Sequence, residues 1–186
     1  NEKLWNPNYL NNEKSVTKSV IEMIENQIAT IIQGPPGTGK SYLAAELCQH
    51  YLKSGKSICV TALTNKALME IAVKKGLEEP IDKNVVFKTN LSSDELKQIP
   101  KLRRVESFSP RQGELLLSTY YKLSQKQSEI IAGSKRFDLL IIEEASQSYL
   151  ATIAMFSSIA SKVLVIGDHK QLTPVVIRKE EAFKIH

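Results

Sequence analysis

Ile28-Ala29-Thr30-Ile31-Ile32-Gln33-Gly34-Pro35-Pro36-Gly37-Thr38-Gly39-Lys40-Ser41 is the stretch that decides the fold. Ile28 to Ile32 reads as a buried strand. Gly34 to Ser41 then fits G-x-x-x-x-G-K-[ST], a phosphate-binding loop. Its glycines let the backbone curl so that several N–H groups point at one anion. Beyond the loop, Leu43, Ala44, Leu47, Cys48, Tyr51 and Leu52 recur at helical spacing. A helix starting there aims its positive end at the same anion. Lys40 is placed to reach the β- and γ-phosphates of a nucleotide, and Ser41 to hold Mg²⁺. The motif alone does not say what happens to the nucleotide, since kinases, transporters and motors all use it.

Upstream, Val16, Val20, Ile21 and Ile24 mark an amphipathic helix. Downstream, apolar runs at Ser57–Ala62, Glu114–Ser118, Asp138–Glu143 and Lys162–Gly167 alternate with helical patterns. The helices fall at Ala67–Ala72, Tyr120–Ile131 and Tyr149–Ala160, and Gly76 reads as the stop of the first. That alternation predicts an α/β fold with a mostly parallel sheet flanked by helices on both faces. Residues 1–27 read as an N-terminal segment and helix, and 28–186 as one ATPase domain. Within it, 78–113 reads as an irregular, exposed excursion with short elements. It is punctuated by Pro80, Pro100 and Pro110 and carries Lys97, Lys101, Arg103, Arg104 and Arg111. A solvated loop is the plain reading of that basic stretch, and a nucleic-acid contact the sharper one.

Composition sets the outer bounds. The 186 residues suit one domain with a full core, 42% of them are hydrophobic, and the net charge is +5. That charge permits nucleic-acid binding without demanding it. No apolar run reaches the roughly 20 residues a membrane span needs, and there is no signal-peptide pattern. Cys48 and Cys59 lie inside apolar patterns and read as reduced core thiols of a cytoplasmic protein. The first residue is Asn1 and not Met, which suggests a piece of a longer chain.

Asp138-Leu139-Leu140-Ile141-Ile142-Glu143-Glu144 is an apolar strand that ends in two carboxylates. Glu143 is the candidate Mg²⁺ ligand, and Glu144 the candidate base for an attacking water. A kinase acting on a small acceptor has no need of that second acid.

Here the sequence resembles a known family. Glu143-Glu144-Ala145-Ser146-Gln147 is similar to the DEAxQ motif of superfamily 1 helicases. Gly167-Asp168-His169-Lys170-Gln171-Leu172-Thr173-Pro174 resembles their GDxxQLxP motif III. The form GPPGTGKS suits the Upf-like (DNA2/NAM7-type) branch, whose members unwind DNA or RNA. Val60 to Ala67 is similar to motif Ia and Ser118-Thr119-Tyr120 to motif Ic. The resemblance implies the first RecA-like motor domain of such a helicase, a P-loop NTPase using ATP and Mg²⁺. It implies that Gln171 senses the γ-phosphate. It further implies that Thr61, Thr64, Asn65, Thr119 and His169 face single-stranded DNA or RNA. Motifs IV to VI belong to a second RecA-like domain, expected in the full-length protein as the source of arginine fingers. Such fingers are worth about 10³–10⁵ in rate, so the sequence in hand is expected to bind ATP–Mg²⁺, turn it over slowly and not unwind. Three departures stand out: Glu143 replaces the usual Asp, Thr173 replaces a Pro, and Leu10-Asn11-Asn12 is not followed by the family's adenine-reading Gln. An ATP-dependent switch without productive unwinding is the alternative that these departures leave open.

Overall fold

The structure is a computed structural model that describes residues 15–106, 108–133, 136–147 and 150–168. Helix α1 (Val16–Asn26) buries Val20 and Ile24 and leads into β1 (Ala29–Gln33). The loop then opens α2 (Lys40–Lys53), whose buried face is Leu43, Ala44, Ala45, Leu47, Cys48 and Tyr51. β2 (Ile58–Ala62) is buried at every position and leads to α3 (Asn65–Ala72). There follow α4 (Glu78–Asp82), β3 (Val86–Thr89), α5 (Ser93–Gln98) and β4 (Arg103–Val105). The chain continues through β5 (Leu115–Thr119), α6 (Tyr120–Ala132) and β6 (Phe137–Ile142) to α7 (Leu150–Ser157) and β7 (Ala160–Gly167).

The seven strands form one sheet in the order β1-β7-β6-β2-β5-β3-β4, and every pairing is parallel. Side chains alternate across it. Ile58, Val60, Leu115, Leu117, Leu139 and Ile141 pack under α1, α2 and α3 on one face. Cys59, Leu116, Leu140, Ile142 and Val163 pack under α6 and α7 on the other. This is the layered architecture expected from the alternating pattern. Because α1 packs into the same core as the sheet, residues from 16 onward belong with it. No helix among the described residues is long and apolar enough to cross a membrane.

Three local expectations need correction. First, β1 is not buried throughout: its exposure alternates, with Ile31 62% and the preceding Ile28 79% exposed. Among the described residues β1 pairs with β7 alone at the end of the sheet, and the face that carries Ile31 stays open to solvent while Thr30 and Ile32 on the other face are covered. Second, Gly76 does not stop α3, which ends at Ala72 with Val73 as its cap. Gly76 lies in a 3-10 turn pressed against α2, where a Cβ would come within 2.9 Å of the Ala45 carbonyl. Third, 78–113 is not an irregular excursion. It supplies β3 and β4 to the main sheet and Ile81, Val86, Leu91 and Leu102 to the main core. Strands of four and three residues carrying Lys and Arg leave no periodic signal.

Candidate functional site

The last strand in the described chain, β7, sits between β1 and β6. The carboxyl ends of β1, β7 and β6 therefore stand side by side, where ligands gather in open parallel sheets. The phosphate loop leaves β1 there, tied by the Gly34 N–H to the Gly167 carbonyl at 3.2 Å. Gly37 and Gly39 take φ of 78° and 84°, which side-chain-bearing residues rarely adopt, and Gly39 opens α2. The Lys40 ammonium is held by the loop itself, donating to the Gly34 and Pro35 carbonyls at 2.8 Å each. Thr38 Oγ1 donates to the Pro35 carbonyl at 2.8 Å, bracing the turn. Pro36, Gly37, Gly39, Lys40 and Ser41 line a cleft of about 370 Å³ together with Glu143 and Glu144. That size lies within the range of small-molecule sites.

Glu143 is 6% exposed. Its Oε2 accepts the Glu144 N–H at 2.9 Å, while Oε1 is buried without a partner among the described residues. Burial pushes its carboxyl above the usual glutamate range. The backbone around it is pinned: its N–H donates to the Thr61 carbonyl at 2.8 Å, and the Tyr120 hydroxyl donates to its carbonyl. Glu144 sits at φ 54°, an uncommon backbone for a glutamate. That kink turns the chain off the end of β6 into the 3-10 turn Ala145–Gln147. Ser41 Oγ donates to Glu70 Oε1 at 3.1 Å, so a third carboxylate faces the cleft from α3. Hard oxygens with one buried, unpartnered carboxylate oxygen are a donor set that suits Mg²⁺ beside a triphosphate. Ser41 and Glu143 are among the oxygen donors that line this cleft.

Of the residues expected to face nucleic acid, Thr61, Thr64, Asn65 and Thr119 are at the carboxyl ends of β2 and β5, on the same edge of the sheet. Thr64 caps α3, accepting the Ala67 N–H at 3.1 Å, and its hydroxyl also lies 3.4 Å from Glu144 Oε2. Asn65 is exposed, with its Oδ1 accepting from Lys88 Nζ at 2.8 Å. Thr119 is 9% exposed and caps α6 through the Lys122 N–H. Thr61 corrects the expectation: it is fully buried inside β2, with its hydroxyl unpartnered among the described residues, and offers no surface to a nucleic acid here. Of motif III, Gly167 and the buried Asp168 are described, whereas Gln171 and His169 lie outside the described residues. In the basic stretch, Lys97 pairs with Asp94, Lys101 with Asp82, and Arg104 with Glu106. Arg103 lies over the Phe87 ring at 5.4 Å. Sequence reasoning missed Glu70 and Lys88. The one available hint for Lys88 was a lone charge directly after the apolar run Val85-Val86-Phe87.

A family model described as an AAA domain matches residues 17–179. The ATP-dependent helicase NAM7 of Saccharomyces cerevisiae is 29% identical over 95% of this chain and 22% of its own length. The DNA replication ATP-dependent helicase/nuclease DNA2 of the same yeast is 26% identical over 78% of this chain and 10% of its own. The ATP-dependent helicase upf1 of Schizosaccharomyces pombe is 29% identical over 82% and 21%. The chain thus spans about a tenth to a fifth of the length of these curated relatives. Among solved structures, the UvsW helicase of bacteriophage T4 superposes with a TM-score of 0.58 at 13% identity, over 81% of this chain and 50% of that one. At that identity the likeness speaks for the fold alone.

Proposed function

We propose a function on one premise: this chain belongs to the AAA domain family, and it is a RecA-like motor domain of the superfamily 1, Upf-like and DNA2-like helicases. The proposed activity is hydrolysis of ATP to ADP and phosphate, used to act on single-stranded DNA or RNA. One observation carries it. Lys40, Ser41, Glu143 and Glu144 line a single cleft, and Glu143 presents a buried oxygen with no partner among the described residues.

Each side chain has work it can do there. Lys40 exchanges its two carbonyl partners for the β- and γ-phosphate oxygens, while loop N–H groups and the α2 N-terminus hold the remaining charge. Ser41 and Glu143 would hold Mg²⁺, which would supply positive charge to offset that of the triphosphate. Glu144 orients a water in line with the γ-phosphorus and accepts its proton. Gln171 remains the proposed γ-phosphate sensor and His169 a proposed contact to single-stranded nucleic acid, both outside the described residues. A second RecA-like domain remains the proposed partner within the full-length protein. A reducing, cytoplasmic setting is supported by two buried free thiols, Cys48 being pushed up to about 12 by burial.

Two variants test the reading. Lys40→Ala is expected to lose binding of a fluorescent ATP analogue. Glu144→Gln is expected to keep that binding while phosphate release falls by about 10²–10⁴. If Glu144→Gln releases phosphate at the normal rate, Glu144 is not the base and the proposed chemistry fails. A switch that needs only ATP binding would keep its biological role in full-length Glu144→Gln protein, whereas a motor would stall.

A further inference from the structure

Lys88 heads the largest fully buried side chains, at 0% exposure, and it is a cation. Its ammonium has three N–H donors and no lone pair. The donors reach Asn65 Oδ1 at 2.8 Å, the Thr89 carbonyl at 3.2 Å and Glu95 Oε2 at 3.2 Å, with Glu95 Oε1 at 3.1 Å. Glu95 is held in turn by the Ser92 capping box at the start of α5. An apolar pair of similar volume would stabilise such a place as well or better. A buried ion pair there is therefore better explained by what it positions. Among the described residues, the one hydrogen-bond partner of its ammonium outside β3 and α5 is Asn65.

Asparagine can present its oxygen or its NH₂, and the two ends look alike. Lys88 decides between them by chemistry, since an ammonium cannot face an NH₂ favourably. The Asn65 oxygen is committed inward, and its NH₂ makes no hydrogen bond among the described residues on an exposed position. A donor facing outward suits a phosphodiester oxygen, and an outward carbonyl would repel one. We propose that Lys88, salt-bridged to Glu95, is a positioning residue that locks the Asn65 amide with its NH₂ outward, as a donor to the backbone of a bound single strand. The inference rests on the nucleic-acid reading above and adds to it a buried device outside the helicase motifs.

The test uses the whole chain and a short fluorescein-labelled oligodeoxythymidylate, read by anisotropy. Asn65→Ala should weaken binding by about tenfold, the worth of one hydrogen bond to a charged oxygen. Lys88→Met combined with Glu95→Gln removes both charges together, so that neither is left buried alone. It should weaken binding similarly, and it should add nothing further in the Asn65→Ala background. Equal losses in both backgrounds, or none in either, would overturn the proposal. A readout that needs no variant is the Asn65 side-chain amide resonance of the wild-type protein. It should shift as the strand is added, and a stationary resonance with saturated binding also overturns it. If the wild-type chain does not bind the strand at all, the functional reading fails first and the two failures stay distinct.

Discussion

Glu143 carries a carboxylate into a place where one oxygen has no partner among the described residues, and burial raises the energy of its charged form. In the absence of a cation that oxygen is a cost to the fold, and with Mg²⁺ beside it the cost becomes binding energy. Glu143→Gln is expected to raise the thermal midpoint of the nucleotide-free protein at neutral pH. It should also remove the dependence of nucleotide affinity on Mg²⁺, read by titration with and without chelator. A lower midpoint would mean that the carboxylate already has a structural partner. Lys40, Ser41, Glu143 and Glu144 were legible in the sequence because each is fixed by a neighbour one or a few positions away, and parallel pairing brings their strand ends together. Glu70 was not legible. Its approach to Ser41 spans 29 positions and depends on the angle between α2 and α3, which no local pattern encodes.

At the scale of elements, the sheet is fastened at its amino-terminal edge by Asp138. Its carboxylate accepts the Ser57 N–H and hydroxyl at 2.8 Å each and the Gln112 amide at 3.1 Å, and it pairs with Lys56 at 3.4 Å. Burial alone would raise the Asp138 carboxyl, but the Ser57 bonds, helped by Gln112 and Lys56, outweigh it and hold it below the usual range. A carboxyl lowered in the folded state stabilises fully above the ordinary aspartate value, about 4, and that contribution is lost as pH falls through the folded value. Asp138→Ala should therefore cost about 2–3 kcal/mol at neutral pH. The gap from wild type should close under acid, as measured by urea unfolding at several pH values; a gap independent of pH would point to packing instead. Gly76→Ala should cost about 1–3 kcal/mol by forcing α2 from the 3-10 turn. The central strands were readable from their apolar runs. β3 and β4 were hidden because Lys88, Arg103 and Arg104 break any run, and Lys88 is buried only because Asn65 and Glu95 await it.

For the molecule as a whole, the sheet order puts the nucleotide cleft and the proposed nucleic-acid edge on one rim, with β6 and β2 as neighbours between them. Besides the backbone bond from Glu143 to Thr61, side-chain hydrogen bonds cross that boundary. Tyr120, at the start of α6, donates to the carbonyl of Glu143, and Thr64, the cap of α3, lies 3.4 Å from Glu144 Oε2. On the proposed reading, a strand that engages Thr64 would compete for the hydroxyl that touches the proposed base, and occupancy of one site would change the energy of the other. Coupling of that kind is reciprocal: the factor by which an ATP analogue alters strand affinity equals the factor by which the strand alters analogue affinity. Thr64→Val removes the hydroxyl and, with it, the cap, at about 1 kcal/mol of stability. Thr64→Ser keeps both bonds. If the rim works as one device, Thr64→Val should bring the coupling factor close to one in both directions of titration, while Thr64→Ser preserves it. A Thr64→Val protein that remains folded and retains the full factor would show that the two sites communicate by another route, with the Tyr120 bond to Glu143 next to be cut.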